Sequence, residues 1–373
     1  MKILMIAPYM GGIDVYVNSL AGELRRLGAL VDIKGGKSNE SAYDVSIKSW
    51  KTSEELKRLV ENITNRINFD EYDIVGFNFG KNDIEQYIPV DLLDRKGKKI
   101  KNAVYFVHFL SWNLFGQYLD DQGTQAKIEQ SIKDFFNHYV FFGSFAKNYL
   151  ENKFNEKLDG IVNFLPETHS LDKDDPVELK RELKNLGLQI KEKPTIFLPG
   201  FAGNYKDYLL LLKAFEFVDK PINFIFAGLG WAKRLSFRQK QIGLVDIYVM
   251  EKYFNGNEYH YMCEKSLFGI FPYKQPADLE EVFQGSGTLP NFIYARKASI
   301  VLDEGCMPEY VGKGGIVIKN SDPKDLGIAI NKLLDGDKRR VYEQEITKRA
   351  ELFSIQNHAK SCLKYFELLL GSK

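Results

Sequence analysis

Apolar residues fall along the chain in short runs separated by longer amphipathic stretches. Lys2 to Ala7 (KILMIA) is continuous and apolar, the pattern of a parallel strand buried on both faces. Ile13 to Gly28 follows a period near 3.6 through Val15, Val17, Leu20, Ala21, Leu24 and Leu27, and ends on a glycine, so it predicts a helix. Leu30 to Ile33 is the next strand, and the three elements make a βαβ unit. The alternation continues with a helix over Glu54 to Asn68 and strands at Asp73 to Phe79 and Ala103 to Val107. A helix over Gln125 to Asn137, a strand at Tyr139 to Phe142, a helix from Ser144 to Phe154 with a serine cap and a strand at Ile161 to Leu165 complete the first half.

Glu167 to Pro176 is polar and turn-rich and reads as a domain junction, followed by a charged helix, Val177 to Leu186. A second cycle then begins. Strands are predicted at Thr195 to Leu198, Ile222 to Ala227, Ile247 to Met250, Leu267 to Phe271, Ser299 to Leu302 and Gly315 to Ile318. Helices are predicted at Tyr208 to Val218, Asp322 to Leu334 with an aspartate cap, Asp337 to Phe353 and Gln356 to Leu370. The reading is α/β, two Rossmann-like halves in tandem. In such sheets ligands bind beyond the carboxyl ends of the strands, so two halves facing each other would hold a ligand in the cleft between them.

Length and composition agree with this picture. At 373 residues the chain exceeds one ordinary core. A net charge of +1 excludes an overall nucleic-acid-like basic balance. No apolar run reaches the roughly 18 residues that cross a bilayer, and the apolar start lacks a cleavage-site pattern. Cys263, Cys306 and Cys362 are widely spaced, which points to a reducing, cytoplasmic setting rather than a zinc site or disulfide framework. The basic run Arg95 to Lys101 (RKGKKIK) is either a solvated loop or a peripheral contact with the inner face of a membrane or an acidic acceptor.

The chemistry concentrates at glycine-rich turns. Gly285-Ser286-Gly287-Thr288 precedes Pro290, a residue suited to the first turn of a helix. Free backbone N–H groups and the helix dipole there suit an anion such as phosphate; a helix cap without ligand is the plainer alternative. Gly11-Gly12 follows the first strand and permits either close approach to a ligand or a tight turn. Neither it nor Gly200-x-x-Gly203 nor Gly228-x-Gly230 makes the glycine fingerprint of a dinucleotide-binding oxidoreductase.

Taken in order, these segments resemble the GT-B glycosyltransferases, and among them the retaining group usually called family 4. The matching segments are GGIDVYVNSLAGELRRLGALVDI, LPGFAGNYKDYLLLLKAF, FAGLG, QGSGTLPNFIYARKASIVLDEGCMPEYVGKGGIVI with DPKDLGIAINKLL, and FSIQNHAKSCLKYFELLL. The resemblance covers nearly the whole chain. It implies an acceptor-side domain over residues 1–166 with the C-terminal helix 355–373, and a nucleotide-sugar domain over 167–354. It implies transfer of a sugar from a nucleotide-diphosphate donor to a glycan, lipid-linked or small-molecule acceptor. No metal and no cofactor are implied, because protein groups carry the positive charge at the leaving diphosphate.

Residue by residue, the resemblance makes Lys206 the diphosphate cation, with a solvated loop lysine as the alternative. Gly200, Gly285, Ser286, Gly287 and Thr288 would line the diphosphate, and Gly11 and Gly12 would approach it. His108, ending a strand, would lie near the reacting sugar, or serve a structural role. Ser111, Trp112 and Asn113 just beyond it would line an acceptor site. The family usually carries an arginine where this chain has Phe201, with Lys252 and Lys274 as substitutes. It usually carries two glutamates eight positions apart, and here these are Gln284 and Phe292. Gln284 would hydrogen-bond a sugar hydroxyl, and Asn291 or Glu281 would take over from Phe292. Glu309 is read as a structural hydrogen-bonding residue. The missing glutamates also motivate an alternative, a catalytically degenerate GT-B protein acting as a partner subunit or sugar-binding module.

Overall fold

A computed structural model describes residues 1–8, 12–34, 53–80, 83–110, 122–167, 191–254, 256–275 and 282–371. The chain divides into two compact units. The first is Met1–Phe164, Glu280–Gln284 and Ile355–Lys373; the second is Leu165–Leu279 and Gly285–Ser354.

The first unit is built on a parallel sheet of six strands: β1 (Lys2–Ile6), β2 (Leu30–Lys34), β3 (Ile74–Asn78), β4 (Ala103–Val107), β5 (His138–Phe142) and β6 (Gly160–Asn163). Their spatial order is β2-β1-β3-β4-β5-β6. Register is set by pairs such as Met5 with Ile33 and Gly76 on either side, and Val75 with Ala103. Every residue of β3 and β4 is buried, so both strands read as apolar runs without period-2 alternation, broken only by Asn78 at the end of β3. The order reverses between β1 and β3, the switch point at which open α/β sheets leave a crevice. Asn78 at the end of β3 and His108 just past β4 lie at that carboxyl edge. The C-terminal helix Ile355–Gly371 returns to this unit. It is fixed there by a hydrogen bond between His358 Nε2 and the Tyr16 hydroxyl at 2.7 Å and by Ser361 donating to Asn163 at 3.0 Å.

The second unit carries β7 (Thr195–Pro199), β8 (Ile222–Ala227), β9 (Gln239–Ile242), β10 (Val245–Met250), β11 (Gly269–Phe271), β12 (Ser299–Leu302) and β13 (Gly315–Ile318). The order is β7-β8-β10-β9 in one sheet and β11-β12-β13 in another. Leu267 N donates to Thr195 O at 2.9 Å and Asp207 N to Pro272 O at 2.7 Å, which ties β11 and the loop after it to β7. All strands are parallel to their neighbours except β9, which is antiparallel to β10.

Strand bounds at Ala103–Val107, Ile222–Ala227, Ser299–Leu302 and Gly315–Ile318 match the apolar runs residue for residue. Several elements differ. The helix from Tyr208 stops at Ala214 and tightens into a 3₁₀ turn, Phe215–Phe217. The predicted helix to Phe353 breaks after Thr347 and resumes as a 3₁₀ turn at Ala350–Phe353. Gly143, not Ser144, occupies the cap position of the helix Ser144–Phe154. Asp322 does cap its helix, accepting from Lys324 N and Asp325 N. The helices Ile88–Lys96, Trp231–Leu235 and Gly256–Lys265 and the strand β9 have no counterpart in the sequence reading. Three are short, and the fourth, Gly256–Lys265, carries charged and aromatic residues without a clean apolar period. Most of the Glu167–Pro176 junction and all of the Val177–Leu186 helix lie outside the described residues.

Candidate functional site

In the second unit, β7 runs into Gly200 at φ +100°, a left-handed conformation that favours glycine. The turn is clamped by Trp231 Nε1 donating to Gly200 O at 2.8 Å. Gly228, at φ +150°, presses its backbone against the same carbonyl; an added Cβ would lie 2.3 Å from Gly200 O. This close packing of two strand ends fixes the loop that carries Lys206.

Lys206 is only 2% exposed. It pairs with Tyr273 in an isolated antiparallel bridge, which brings the loop after β7 beside the loop after β11. Its Nζ donates to Pro199 O at 3.2 Å and lies 5.5 Å from the Trp231 ring centroid and 5.3 Å from that of Tyr273. Among the described residues no carboxylate pairs with it. Burial therefore drives its pKa down to about 7. Lys206 is not a solvated loop lysine.

The space facing this amine is the missing side chain of Gly200. A Cβ there would lie 3.1 Å from Lys206 Nζ and 3.6 Å from Thr288 Oγ1. The Gly285–Thr288 loop thus reaches the same point as Lys206. Its donors are distributed differently from the sequence expectation. Ser286 Oγ accepts from Thr288 N at 3.1 Å and Leu289 N at 3.2 Å. Pro290 has no N–H, and Asn291 N is bonded to Thr288 O. The first turn of the helix Leu289–Tyr294 is therefore already satisfied. The amides that form no hydrogen bond among the described residues are those of Gly285, Ser286 and Gly287, one step earlier. Gly287 is exposed, and a Cβ on it would meet nothing within 4 Å.

Two residues that sequence reasoning missed complete the wall. Tyr259 donates its hydroxyl to Thr288 Oγ1 at 2.6 Å. Tyr273, fully buried, sets its phenol against Ser286 and Thr288. Both are tyrosines in a chain rich in them, and no spacing marks them out.

Other nominated residues fall elsewhere. Asn291 donates to Gly287 O at 3.0 Å and so shapes the loop. Phe292 is 0% exposed and packs edge-on against Phe271, inside the core. Phe201 is 55% exposed, with its ring 6.3 Å from that of Tyr253. Lys252 pairs with Glu258 at 2.6 Å, and Lys274 pairs with Asp207, the residue after Lys206, so each is already engaged by a carboxylate. Glu309 accepts from Arg349 through its backbone carbonyl at 2.7 Å.

In the first unit, His108 Nε2 lies 3.2 Å from Asn78 Oδ1. Its ring packs on Tyr16 and Phe142, with centroids 4.9 Å and 4.8 Å away. Burial, and then the neighbouring His358, hold its pKa down to about 3, so the ring is neutral. Gln284 is 9% exposed, and its Nε2 donates to Val107 O at 2.8 Å, one residue before His108. Its Oε1 is buried and has no hydrogen-bond partner among the described residues. Gly12 opens the helix Gly12–Arg26, and a Cβ there would meet nothing within 4 Å, so packing does not demand a glycine. Gly11, Glu281, Ser111, Trp112 and Asn113 lie outside the described residues.

The basic run at Arg95 is largely engaged. Arg95 forms two bonds to Asp91 at 2.9 Å, Lys98 binds Asp70 and Lys96 donates to Thr64 O. Among the described residues no group of three or more His, Cys, Asp or Glu side chains is placed to hold a metal ion. No helix among them is long and apolar enough to cross a membrane.

No family model matches the chain, and no curated protein matches it. Solved structures do. Sucrose-phosphate synthase from Thermosynechococcus elongatus aligns at TM-score 0.69 and 13% identity over 100% of both chains. A glycosyltransferase from Rickettsia africae aligns at TM-score 0.67 and 14% identity, covering 100% of this chain and 99% of that one. HepE from Anabaena, in complex with UDP-glucose, aligns at 0.66 and 13% identity over 98% of this chain and 100% of that one. The chain has the GT-B fold. Its two sheet-based units are the two Rossmann-like domains of GT-B, and the α/β expectation holds at that level. In GT-B terms, Lys206 and the Gly285–Thr288 loop belong to the C-terminal Rossmann-like domain, and His108 and Gln284 are grouped with the N-terminal one.

Proposed function

We propose that this protein is a glycosyltransferase that binds a nucleotide-diphosphate sugar on its second unit and transfers the sugar with retained anomeric configuration. One observation carries the reading: Lys206 Nζ and Thr288 Oγ1 border the same space beside Gly200. A buried amine without a carboxylate partner is poorly compensated as a cation, and a diphosphate supplies the missing charge. The amides of Gly285, Ser286 and Gly287 supply further donors. As the anomeric C–O bond breaks, negative charge grows on the departing diphosphate, and preformed donors stabilise that charge more than the ground state. In this reading the protein carries the positive charge, and turnover persists in chelator. On the first unit, Gln284 Oε1 and neutral His108 are the groups offered to sugar hydroxyls.

Similar folds support this reading, since HepE is solved with UDP-glucose and the Rickettsia africae protein is named a glycosyltransferase. The acceptor is a glycan, a lipid-linked sugar or a small molecule, handled in the cytoplasm. An anionic acceptor or membrane surface would meet Lys99 and Lys101 of the Arg95–Lys101 run. A second reading, a degenerate sugar-binding or partner subunit, is favoured by Phe292, whose burial leaves no hydroxyl-binding group at the expected ribose position.

Thermal-shift and calorimetric titration with UDP, GDP, ADP, TDP and their sugars separates the two. The transferase reading expects at least one nucleotide to raise the melting midpoint, and Lys206→Ala to lower turnover about 100-fold or more. Binding by none of the panel overturns it. Binding without sugar release or transfer leaves the degenerate reading.

A further inference from the structure

Tyr259 stands behind the loop rather than in it. Its ring packs on the core formed by Phe197, Ile225, Tyr248, Met250 and Met262, from β7, β8, β10 and the helix Gly256–Lys265. Its hydroxyl reaches out of that core to bond Thr288 Oγ1 at 2.6 Å. A threonine hydroxyl has one proton and two acceptor positions. With one acceptor position filled by the Tyr259 proton, Thr288 keeps its own proton for another acceptor, either the neighbouring phenol oxygen of Tyr273 or a ligand over Gly200. That oxygen borders the space over Gly200, where Lys206 Nζ also points.

We propose that Tyr259 is a positioning residue: its donated hydrogen bond holds Thr288 as a hydrogen-bond donor to the diphosphate of the nucleotide-sugar. The proposal rests on the diphosphate reading of the site. Without the phenol, Thr288 Oγ1 turns freely between donating and accepting, and its oxygen is no longer fixed beside the amine. Burial raises the Tyr259 pKa well above its ordinary value, so the phenol stays protonated and remains a donor at any working pH. The side chain it serves is 8% exposed, so Thr288 itself makes the contact and Tyr259 acts through it. A single neutral bond of this kind is worth about a factor of five to ten in affinity.

The experiment measures the dissociation constants of inorganic pyrophosphate and UDP by calorimetry for the full chain and for Tyr259→Phe, Thr288→Val, Thr288→Ser and the Tyr259→Phe/Thr288→Val pair. Melting midpoints are taken without ligand. Tyr259→Phe and Thr288→Val should each weaken both ligands by about five- to tenfold. The double variant should be no weaker than Thr288→Val alone, because the two residues act through one bond. Thr288→Ser, which keeps the hydroxyl, should restore binding to within about twofold. A purely structural Tyr259 would lower the midpoint while its effect on binding added to that of Thr288→Val, and that result overturns the proposal. Unchanged affinity in Tyr259→Phe overturns it too. If the unmutated chain binds neither pyrophosphate nor UDP, the diphosphate reading itself falls, a result distinct from either. Should Tyr259→Phe unfold early, the Thr288→Val and Thr288→Ser pair decides: equal affinity in the two excludes the hydroxyl as a donor.

Discussion

The two polar clusters at the strand ends solve opposite electrostatic problems. In the second unit a lysine is buried among Trp231, Tyr273 and the carbonyl of Pro199, and no carboxylate accompanies it among the described residues. In the first unit a partly buried histidine faces Asn78, Tyr16 and Phe142, and near it Gln284 presents a carbonyl oxygen with no hydrogen-bond partner among the described residues. Burial lowers the pKa of both bases. For Lys206 it stops at about 7, where the amine is poised between its two forms. For His108 it reaches about 3, where the ring is neutral throughout the ordinary pH range. In the proposed function the lysine cluster takes up a proton when an anion binds, and the histidine cluster stays uncharged. The same physical cause thus leaves one base titrating near neutrality and the other neutral, because the starting pKa values differ.

Removing the amine gives the largest expected effect. Lys206→Met keeps the apolar stem and should abolish measurable pyrophosphate binding, a loss of about 100-fold or more. Stability should move the other way. A lysine whose folded pKa lies below its unfolded value costs stability wherever the unfolded chain is protonated and the folded site resists protonation. That cost is full below about pH 7 and fades as pH rises from about 7 toward the ordinary lysine value. Lys206→Met should therefore melt higher than the parent chain at pH 6, by a margin that narrows at pH 9. A lower midpoint at pH 6 would mean that Lys206 has a charge partner, and the contrast between the clusters would collapse.

The next effect is a pH slope. A bound diphosphate favours the ammonium form, so at pH 8 binding must take up a proton at Lys206. Affinity for pyrophosphate should fall by up to about tenfold per pH unit above pH 7. Calorimetry in two buffers of different ionisation enthalpy reads the proton uptake directly. The neighbours that could confuse the measurement are Tyr205, Tyr259 and Tyr273, all pushed upward by burial, and the Asp207–Lys274 ion pair. The three phenols stay protonated over this range, so none of them supplies the slope. His108→Gln should leave the slope untouched, because a ring with pKa near 3 does not titrate there.

How far this contrast was readable in advance follows from the physics of each part. Strands buried on both faces announce themselves as apolar runs, which is why β4, β8 and β12 were legible to the residue; β13 is only partly buried but keeps an apolar run, GIVI. Lys206 was legible as a cation on a glycine-rich loop, but not its burial, because its cover comes from Trp231 and Tyr273 on other loops. The Gly285–Thr288 hydroxyls were legible, but not the fact that Ser286 occupies two helix amides and shifts the free donors back toward Gly285. Tyr259 carried no signal, since one tyrosine among 20 has no spacing that points to a threonine across the fold. Strand β9 was hidden because QKQI is polar and exposed, an edge strand without an apolar face.

The smallest effect probes whether the neutral cluster can tolerate the charge that the family resemblance would place there. Gln284→Glu introduces a carboxylate but removes the donor that bonds Val107 O at 2.8 Å. Two oxygens would then face each other in a site that is 9% exposed. Losing a buried hydrogen bond and leaving its acceptor unsatisfied costs about 1–3 kcal/mol. The variant should melt lower at pH 8, where the carboxylate is charged, than at pH 5. The sign follows from burial raising the carboxyl pKa: protonation restores a donor, so stability returns as pH falls through the raised value. A variant as stable as the parent chain at pH 8 would show that this cluster accepts charge as readily as the lysine site releases it, and would erase the distinction between them.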